Sequence, residues 1–399
     1  MTDALDTNFP LEQVRQDTPG VNEVIHFNNC GSALPPTPVL ETVIGHLQRE
    51  ATIGGYEAAN EAQERLDAVY DSTAKLIGAK PDEIAVIENA TRAWDMAVYG
   101  YKFSPGDRVL LCRAEYVSNV IALLQLEKRH HIEIVLIEDD DYGQIDLTHL
   151  EEELRKGAEM VTLTHIPTSG GLINPAKDVG DLCKAYDTFF VLDACQSIGQ
   201  TPINVQDIGC QVLSATSRKY LRGPRGVGFL YVQDSALDHI EPPFLDLRAA
   251  TWTSDMEYEI IDGAKRFENW ETNFAGKLGL GTAIDYALDL SVEKTFSRLQ
   301  KLAEVLRKKL KDLDKVSVHD QGKDKGGIVT FSIDGLEGEV VSQKLRAQKI
   351  NTSTTAPGAA RYDLNHRGIP TVVRASTHYY NTEEEIDCFI SAVEEFGKR

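Results

Sequence analysis

Positive charge is scarce in this chain. Its 399 residues carry 41 Lys and Arg against 62 Asp and Glu, a formal net charge of −21. Nucleic acid and anionic membrane surfaces attract the opposite balance, so neither is expected as a partner. Long apolar runs are missing too: none approaches the ~20 residues a membrane span needs. The six cysteines (30, 112, 183, 195, 210 and 388) include no CxxC pair. That suits a reducing compartment and supplies neither a zinc site nor a disulfide framework. The start, Met1-Thr-Asp-Ala-Leu-Asp-Thr7, is acidic without an apolar core. No secretory signal is visible there, and a cytoplasmic location is expected. No internal repeat stands out. His130-His131 has no carboxylates at ligand spacing, so no metal site is expected.

What is present is ordinary for a globular enzyme-sized protein: 42% apolar and 26% charged residues. The length allows two units around a large core. Short apolar segments at Ile84–Ile87, Val109–Cys112, Ile132–Ile137, Met160–Leu163 and Phe189–Asp193 alternate with helical patterns. Such alternation marks a mostly parallel sheet covered by helices. Residues 37–80 read as two helices broken near Gly54-Gly55. After about residue 265 the pattern changes to one long helical stretch, Leu278–Leu313, then strands near 317–319, 327–332 and 371–374. A last helix over 383–395 has Thr382 as N-cap and Cys388 on its buried side. The expected division is an arm over 1–25, a large unit over 26–265 and a smaller α+β unit over 266–399.

Two runs carry chemistry. Phe189-Phe-Val-Leu-Asp193 reads as a buried parallel strand that ends on an acid, where α/β sheets place ligands. A carboxylate there can keep a pyridine nitrogen protonated. Downstream, Ser214-Ala-Thr-Ser-Arg-Lys-Tyr-Leu-Arg-Gly-Pro-Arg-Gly-Val-Gly228 sets Lys219 among hydroxyls and cations before a glycine-rich turn. A lysine so placed can form a Schiff base with an aldehyde cofactor. Arg218, Arg222 and Arg225 would lower its pKa and bind phosphate. One helix-length segment separates Asp193 from Lys219, which suits adjacent strand ends. Gly223-Pro-Arg-Gly-Val-Gly228 is not a dinucleotide fingerprint, because it precedes a strand and its glycine order is wrong.

At these residues the chain resembles the class V branch of fold type I pyridoxal phosphate enzymes, from Phe27-Asn-Asn-Cys-Gly31 to Arg374-Ala-Ser376. That branch holds cysteine desulfurases, isopenicillin N epimerase-like proteins and amino acid C–S lyases. The resemblance implies an α/β fold, with a large domain on a mostly parallel sheet and a smaller α+β C-terminal domain. It implies pyridoxal 5'-phosphate as cofactor, an amino acid as substrate and a homodimer with shared active sites. Lys219 and Asp193 are then the catalytic pair. Gln196 contacts the ring hydroxyl, Tyr116 stacks where the family usually has histidine, and Thr168 lies near the ring. Ala90 and Thr91, at a helix start, bind phosphate, with Thr216, Arg218 and, across the dimer, Thr272. Arg374 pairs with the substrate carboxylate, and Asn29 and Tyr56 belong to substrate-side loops.

One departure bears on the reaction. Cysteine desulfurases carry a sulfur-accepting cysteine on a mobile loop that corresponds to Thr352-Ser-Thr-Thr-Ala-Pro-Gly-Ala359, and this chain has Ala356 there. Gly54-Gly-Tyr56 is most similar to the C–S lyases of thiohistidine synthesis. The expected reaction is β-elimination from a cysteine-derived amino acid, giving pyruvate and ammonia. Transamination or epimerisation is the alternative, and desulfuration is placed below both.

Overall fold

The computed structural model describes residues 9–397; the first eight residues of the expected arm lie outside it. Helix α1 (Leu11–Gln16) opens the described chain. Three helices follow rather than two: α2 (Thr37–Ile53), α3 (Gly55–Glu61) and α4 (Gln63–Ile77). The break between α2 and α3 falls on Gly54, whose φ of 106° suits glycine alone.

Seven strands make the main sheet: β1 (Ile84–Ile87), β2 (Arg108–Cys112), β3 (Glu133–Ile137), β4 (Met160–Thr164), β5 (Phe189–Asp193), β6 (Val212–Thr216) and β7 (Gly228–Val232). Their order is β1-β7-β6-β5-β4-β2-β3. All run parallel except β7, which is antiparallel to both neighbours. Helices α5 (Ala90–Val98), α6 (Val117–His130), α7 (Leu147–Arg155), α8 (Ala176–Ala185) and the one-turn α9 (Val205–Ile208) connect them. Alternate side chains of one strand feed opposite cores. Leu110 joins Phe190, Leu213 and Tyr231 on one face, while Val109 and Leu111 join Val191, Val212 and Leu230 on the other. Gly180 lets α8 close on this layer: a Cβ there would stand 1.7 Å from the Ile208 carbonyl oxygen.

The expected single helix over 278–313 is two, α10 (Phe274–Leu290) and α11 (Val292–Lys311). Ser291 turns the chain with φ 64° and its hydroxyl caps Lys294 N–H, which restarts the helix instead of continuing it. α10 packs on α2 and α4, so its Leu280, Ile284 and Ala287 share the core of the larger unit. The smaller sheet is antiparallel, in the order β8-β9-β11-β10, from β8 (Val316–Val318), β9 (Ile328–Ile333), β10 (Ser353–Thr355) and β11 (Val372–Ser376). It packs with α11, α12 (Gly338–Ala347) and α14 (Glu383–Gly397), and the four-residue α13 (Arg361–Leu364) lies between β10 and β11. Phe27 from the N-terminal side enters this second core, because Ile25-His26 pairs with Ile350-Asn351. Thr382 caps α14 as expected, through Glu385 N–H at 3.2 Å. Cys388 does not follow expectation: it is exposed, since Ile386, Phe389 and Val393 take the core face of α14.

Candidate active site

Strand order creates the site. β5 ends on Asp193, directly opposite Ser214 of the parallel β6. The chain then turns back into antiparallel β7, and Lys219 sits in that turn, 7% exposed. Arg222 closes the turn in a left-handed conformation (φ 61°), its N–H donating to the Lys219 carbonyl at 2.9 Å. Its guanidinium is fully buried and donates to the Leu34 carbonyl (2.8 Å), the Tyr379 hydroxyl (3.0 Å) and the Thr18 hydroxyl (2.5 Å). Rings of Tyr286, Tyr379 and Tyr380 surround it. Arg222 is therefore a clamp on the lysine turn and not the phosphate ligand expected from its spacing.

A cavity of about 290 Å³ opens above these strand ends. Lys219, Asp193, Gln196, Tyr116 and Thr168 line it, as do Ala90, Thr91, Thr216 and Arg218. Thr272 lies in a narrow adjoining cleft that shares Glu88 and Gly226 with the cavity. Arg374 stands behind the wall, with Nη1 donating to the Thr168 carbonyl (3.0 Å) and also to the Thr168 hydroxyl. Asn29 and Tyr56 do not reach the cavity. Asn29 is buried and engaged with Ser376 and Tyr380, and Tyr56 is 70% exposed on α3. His165 is also outside. It borders another cleft, and burial pushes its pKa down to about 4.

Asn119 and Glu115 escaped the sequence reading. Asp193 accepts from Cys195 N–H at 2.9 Å and from Asn119 Nδ2 at 3.0 Å. The same amide donates to Glu115 Oε1 at 2.9 Å. Glu115 also accepts from Tyr116 N–H (2.9 Å) and from the hydroxyls of Thr162 (3.2 Å) and Thr164. Burial raises the Glu115 pKa and the Asp193 charge adds to this, against the hydrogen bonds from Thr164, Asn119 and Tyr116. The available signal was the i, i+4 spacing of Glu115 and Asn119 just after a strand.

Burial lowers the Lys219 pKa, and the charges of Arg218 and Arg374 push the same way, while Cys195 and Asp193 oppose them. Its amine is thus easier to keep neutral than a surface lysine. The Cys195 thiol is pushed up to about 12, mainly by burial, so little of it is thiolate at neutral pH.

This constellation fits what the comparisons find. The family "Aminotransferase class-V" matches residues 25–389. The chain belongs to that family. It is accordingly a pyridoxal phosphate-dependent enzyme. A probable cysteine desulfurase of Pyrococcus abyssi is 29% identical across 97% of this chain and 98% of its own length. One of Methanothermobacter thermautotrophicus is 26% identical across 97% and 98%. The apo structure of the cysteine desulfurase from Thermococcus onnurineus NA1 superposes with TM-score 0.91, at 28% identity, covering 98% of this chain and 99% of that one. A cystine C–S lyase, C-DES, in complex with cysteine persulfide, superposes with TM-score 0.84 over 95% of this chain and all of its own (100%). Its 23% identity speaks for the fold alone.

The residues suit the class-V cofactor on their own terms. Gln196 Oε1 is buried without a hydrogen-bond partner, although it lines the cavity and its Nε2 donates to the Cys30 carbonyl at 3.1 Å. An orphaned acceptor of this kind calls for a donor in the cavity. The start of α5 offers first-turn N–H groups that have no intrahelical partner. Lys219, Arg218 and Arg225 supply positive charge, and Asp193 and Glu88 are the acids that line the cavity.

Proposed function

We propose that this class-V enzyme cleaves the C–S bond of a cysteine-type amino acid by β-elimination. In balance, RS–CH2–CH(NH3+)–COO− and water give RSH, pyruvate and ammonium. Lys219 would carry pyridoxal phosphate covalently, with Asp193 at the ring nitrogen, Gln196 at the ring hydroxyl and Tyr116 against the ring face. Ala90, Thr91, Thr216 and Arg218 would take the phosphate. The bound cofactor supplies an electron sink for the bond electrons left at Cα. Arg374 orients the substrate by its carboxylate. Once the substrate's amine had taken its place on the cofactor, Lys219 would be free as a neutral amine to take the α-proton, helped by its lowered pKa. Asp193, fixed by Asn119 and Cys195 N–H, holds the positive charge at the ring nitrogen. The thiolate RS− then leaves from Cβ.

The observation behind elimination is the lack of an acceptor thiol. The segment from Thr352 to Ala360, which includes β10 and runs on to α13, contains no cysteine, and the cavity thiol of Cys195 is held protonated. The names of the relatives favour a second reading, desulfuration, in which sulfur passes to a protein thiol as a persulfide. The deciding experiment incubates the holoenzyme with S-substituted cysteines and with cysteine, without a 2-oxo acid. Catalytic pyruvate and ammonia support elimination. Alanine together with a mass increment of one sulfur on a cysteine peptide supports desulfuration and refutes it. Cofactor conversion to its amine form, reversed by a 2-oxo acid, would make the enzyme an aminotransferase.

We also read the enzyme as a homodimer. Leu40, Ile44 and Leu47 of α2, with Leu247, Trp252, Met256 and Trp270, are large apolar side chains left exposed, and a second copy would cover them. Tyr56 and Thr272 would then serve a site shared across that interface.

A further inference from the structure

We propose that Asp363 is a positioning residue for substrate recognition, acting through Ser169 and Thr168 to aim Arg374. The inference rests on reading Arg374 as the carboxylate anchor.

Asp363 lies on α13, just after the segment 352–359. It is 6% exposed, and its carboxylate is shared between Ser169 and Arg367. Oδ2 accepts from the Ser169 hydroxyl at 2.6 Å, and Ser169 is itself only 2% exposed. That length is typical of a strong charge-assisted O–H···O− bond. Oδ1 accepts from Arg367 Nε at 2.6 Å, Oδ2 also accepts from Arg367 Nη2 at 3.2 Å, and Arg367 Nη1 donates in turn to the His319 carbonyl at 2.7 Å. The carboxylate is thus tied to the smaller sheet on one side and to the cavity loop on the other.

The next residue along that loop is the one that touches Arg374. Arg374 Nη1 spends both hydrogens on Thr168, one on its carbonyl and one on its hydroxyl. On the opposite flank Nε (3.2 Å) and Nη2 (3.1 Å) both reach Ser353 Oγ. Ser353 is a rigid support because it pairs with Arg374 within the sheet. Thr168 has no such support. It belongs to the irregular segment after β4, and the bond from Ser169 to Asp363 anchors it. One Nη2 hydrogen is left for a ligand, and a guanidinium–carboxylate contact depends on the plane of the fork. The latch from Asp363 therefore sets how well a carboxylate is met, while the reacting end of the cavity is left alone.

The test titrates the holoenzyme with L-alanine and with L-alaninamide, which lacks the carboxylate, and follows the cofactor absorbance. Wild type is expected to prefer L-alanine. In S169A and D363A, binding of L-alanine weakens about ten-fold, the equivalent of one lost hydrogen bond, while alaninamide binding stays within about two-fold. The S169A/D363A double variant is no weaker than D363A, since both act on one contact. Unfolding temperature and cofactor content are measured in parallel. Should D363A not fold, D363N keeps an acceptor for Ser169 and is expected to weaken L-alanine alone by about three-fold. Equal weakening of both ligands, or of neither, overturns the proposal. A wild type without preference for L-alanine overturns the Arg374 reading as well. Failure to make pyruvate would refute elimination and leave this titration standing.

Discussion

Asn119 bridges two buried carboxyl groups, and its replacement by Leu exposes what the bridge is worth. Leu has a similar volume, so little packing is lost, but both donors disappear. Each of the two hydrogen bonds, at 2.9 and 3.0 Å, ends on a carboxylate and is worth about 1.5–3 kcal/mol. The simple sum is about 3–6 kcal/mol. Remaining donors reduce it: Glu115 keeps Tyr116 N–H and the hydroxyls of Thr162 and Thr164, and Asp193 keeps Cys195 N–H. A net loss of about 2–4 kcal/mol is expected. The loss carries a pH signature. Glu115 already has a raised pKa, so the folded state binds its proton more tightly than the unfolded chain, and stability falls as pH rises. Removing a donor raises that pKa further. The deficit of N119L is therefore smallest near the ordinary carboxyl range and grows toward neutral and alkaline pH. Urea unfolding of both proteins at about pH 5.5 and about pH 8 measures it. A deficit below about 1 kcal/mol at the higher pH, or one that grows on acidification, would refute the bridge as an energetic element.

Borohydride reduction and peptide mass analysis should find the cofactor fixed on Lys219 in wild type and on no residue in K219A; a label that persists elsewhere sinks the assignment. R218M removes a charge that lowers the Lys219 pKa, so the acid limb of the pH–rate profile should move to higher pH, and a limb that stays or moves down contradicts this. His165, buried and depressed from 6.5 to about 4, should cost wild type about 3 kcal/mol as pH falls through that window. H165Q should escape most of that loss in acid denaturation. Gly180→Ala places a Cβ against the Ile208 carbonyl at 1.7 Å and should lower stability by about 3 kcal/mol; an unchanged unfolding temperature would show that α8 can shift freely.

The cofactor end of the site was legible because it is local. Phe189–Asp193 and the run around Lys219 are each continuous in sequence, and parallel-sheet topology alone makes their ends neighbours. Ala90, Thr91, Tyr116 and Thr168 follow other strands of the same sheet and arrive at the same cavity. What escaped depends on pairings across long separations. Nothing near Arg222 in sequence announces that its guanidinium is claimed by Thr18, Leu34 and Tyr379. Ser291 breaks a helix in a stretch whose helical spacing continues through it, because its left-handed backbone ends one helix and its hydroxyl caps the next. The burial of Asn29 and the exposure of Tyr56 likewise reflect tertiary packing, which a resemblance in local sequence does not carry.

The clamp on the lysine turn has a consequence for biosynthesis. Arg222 is gripped from both directions along the chain, by Thr18 and Leu34 near one end and by the tyrosines at 379 and 380 near the other. A ribosome that has finished β7 has made Asp193, Lys219 and the strands that carry them, yet about 150 residues must still emerge before the turn can be locked. Contacts of such long sequence separation form late. The nascent protein should thus acquire its colour only after synthesis is essentially complete, and a chain arrested before Tyr379 should stay colourless however well its larger sheet has formed.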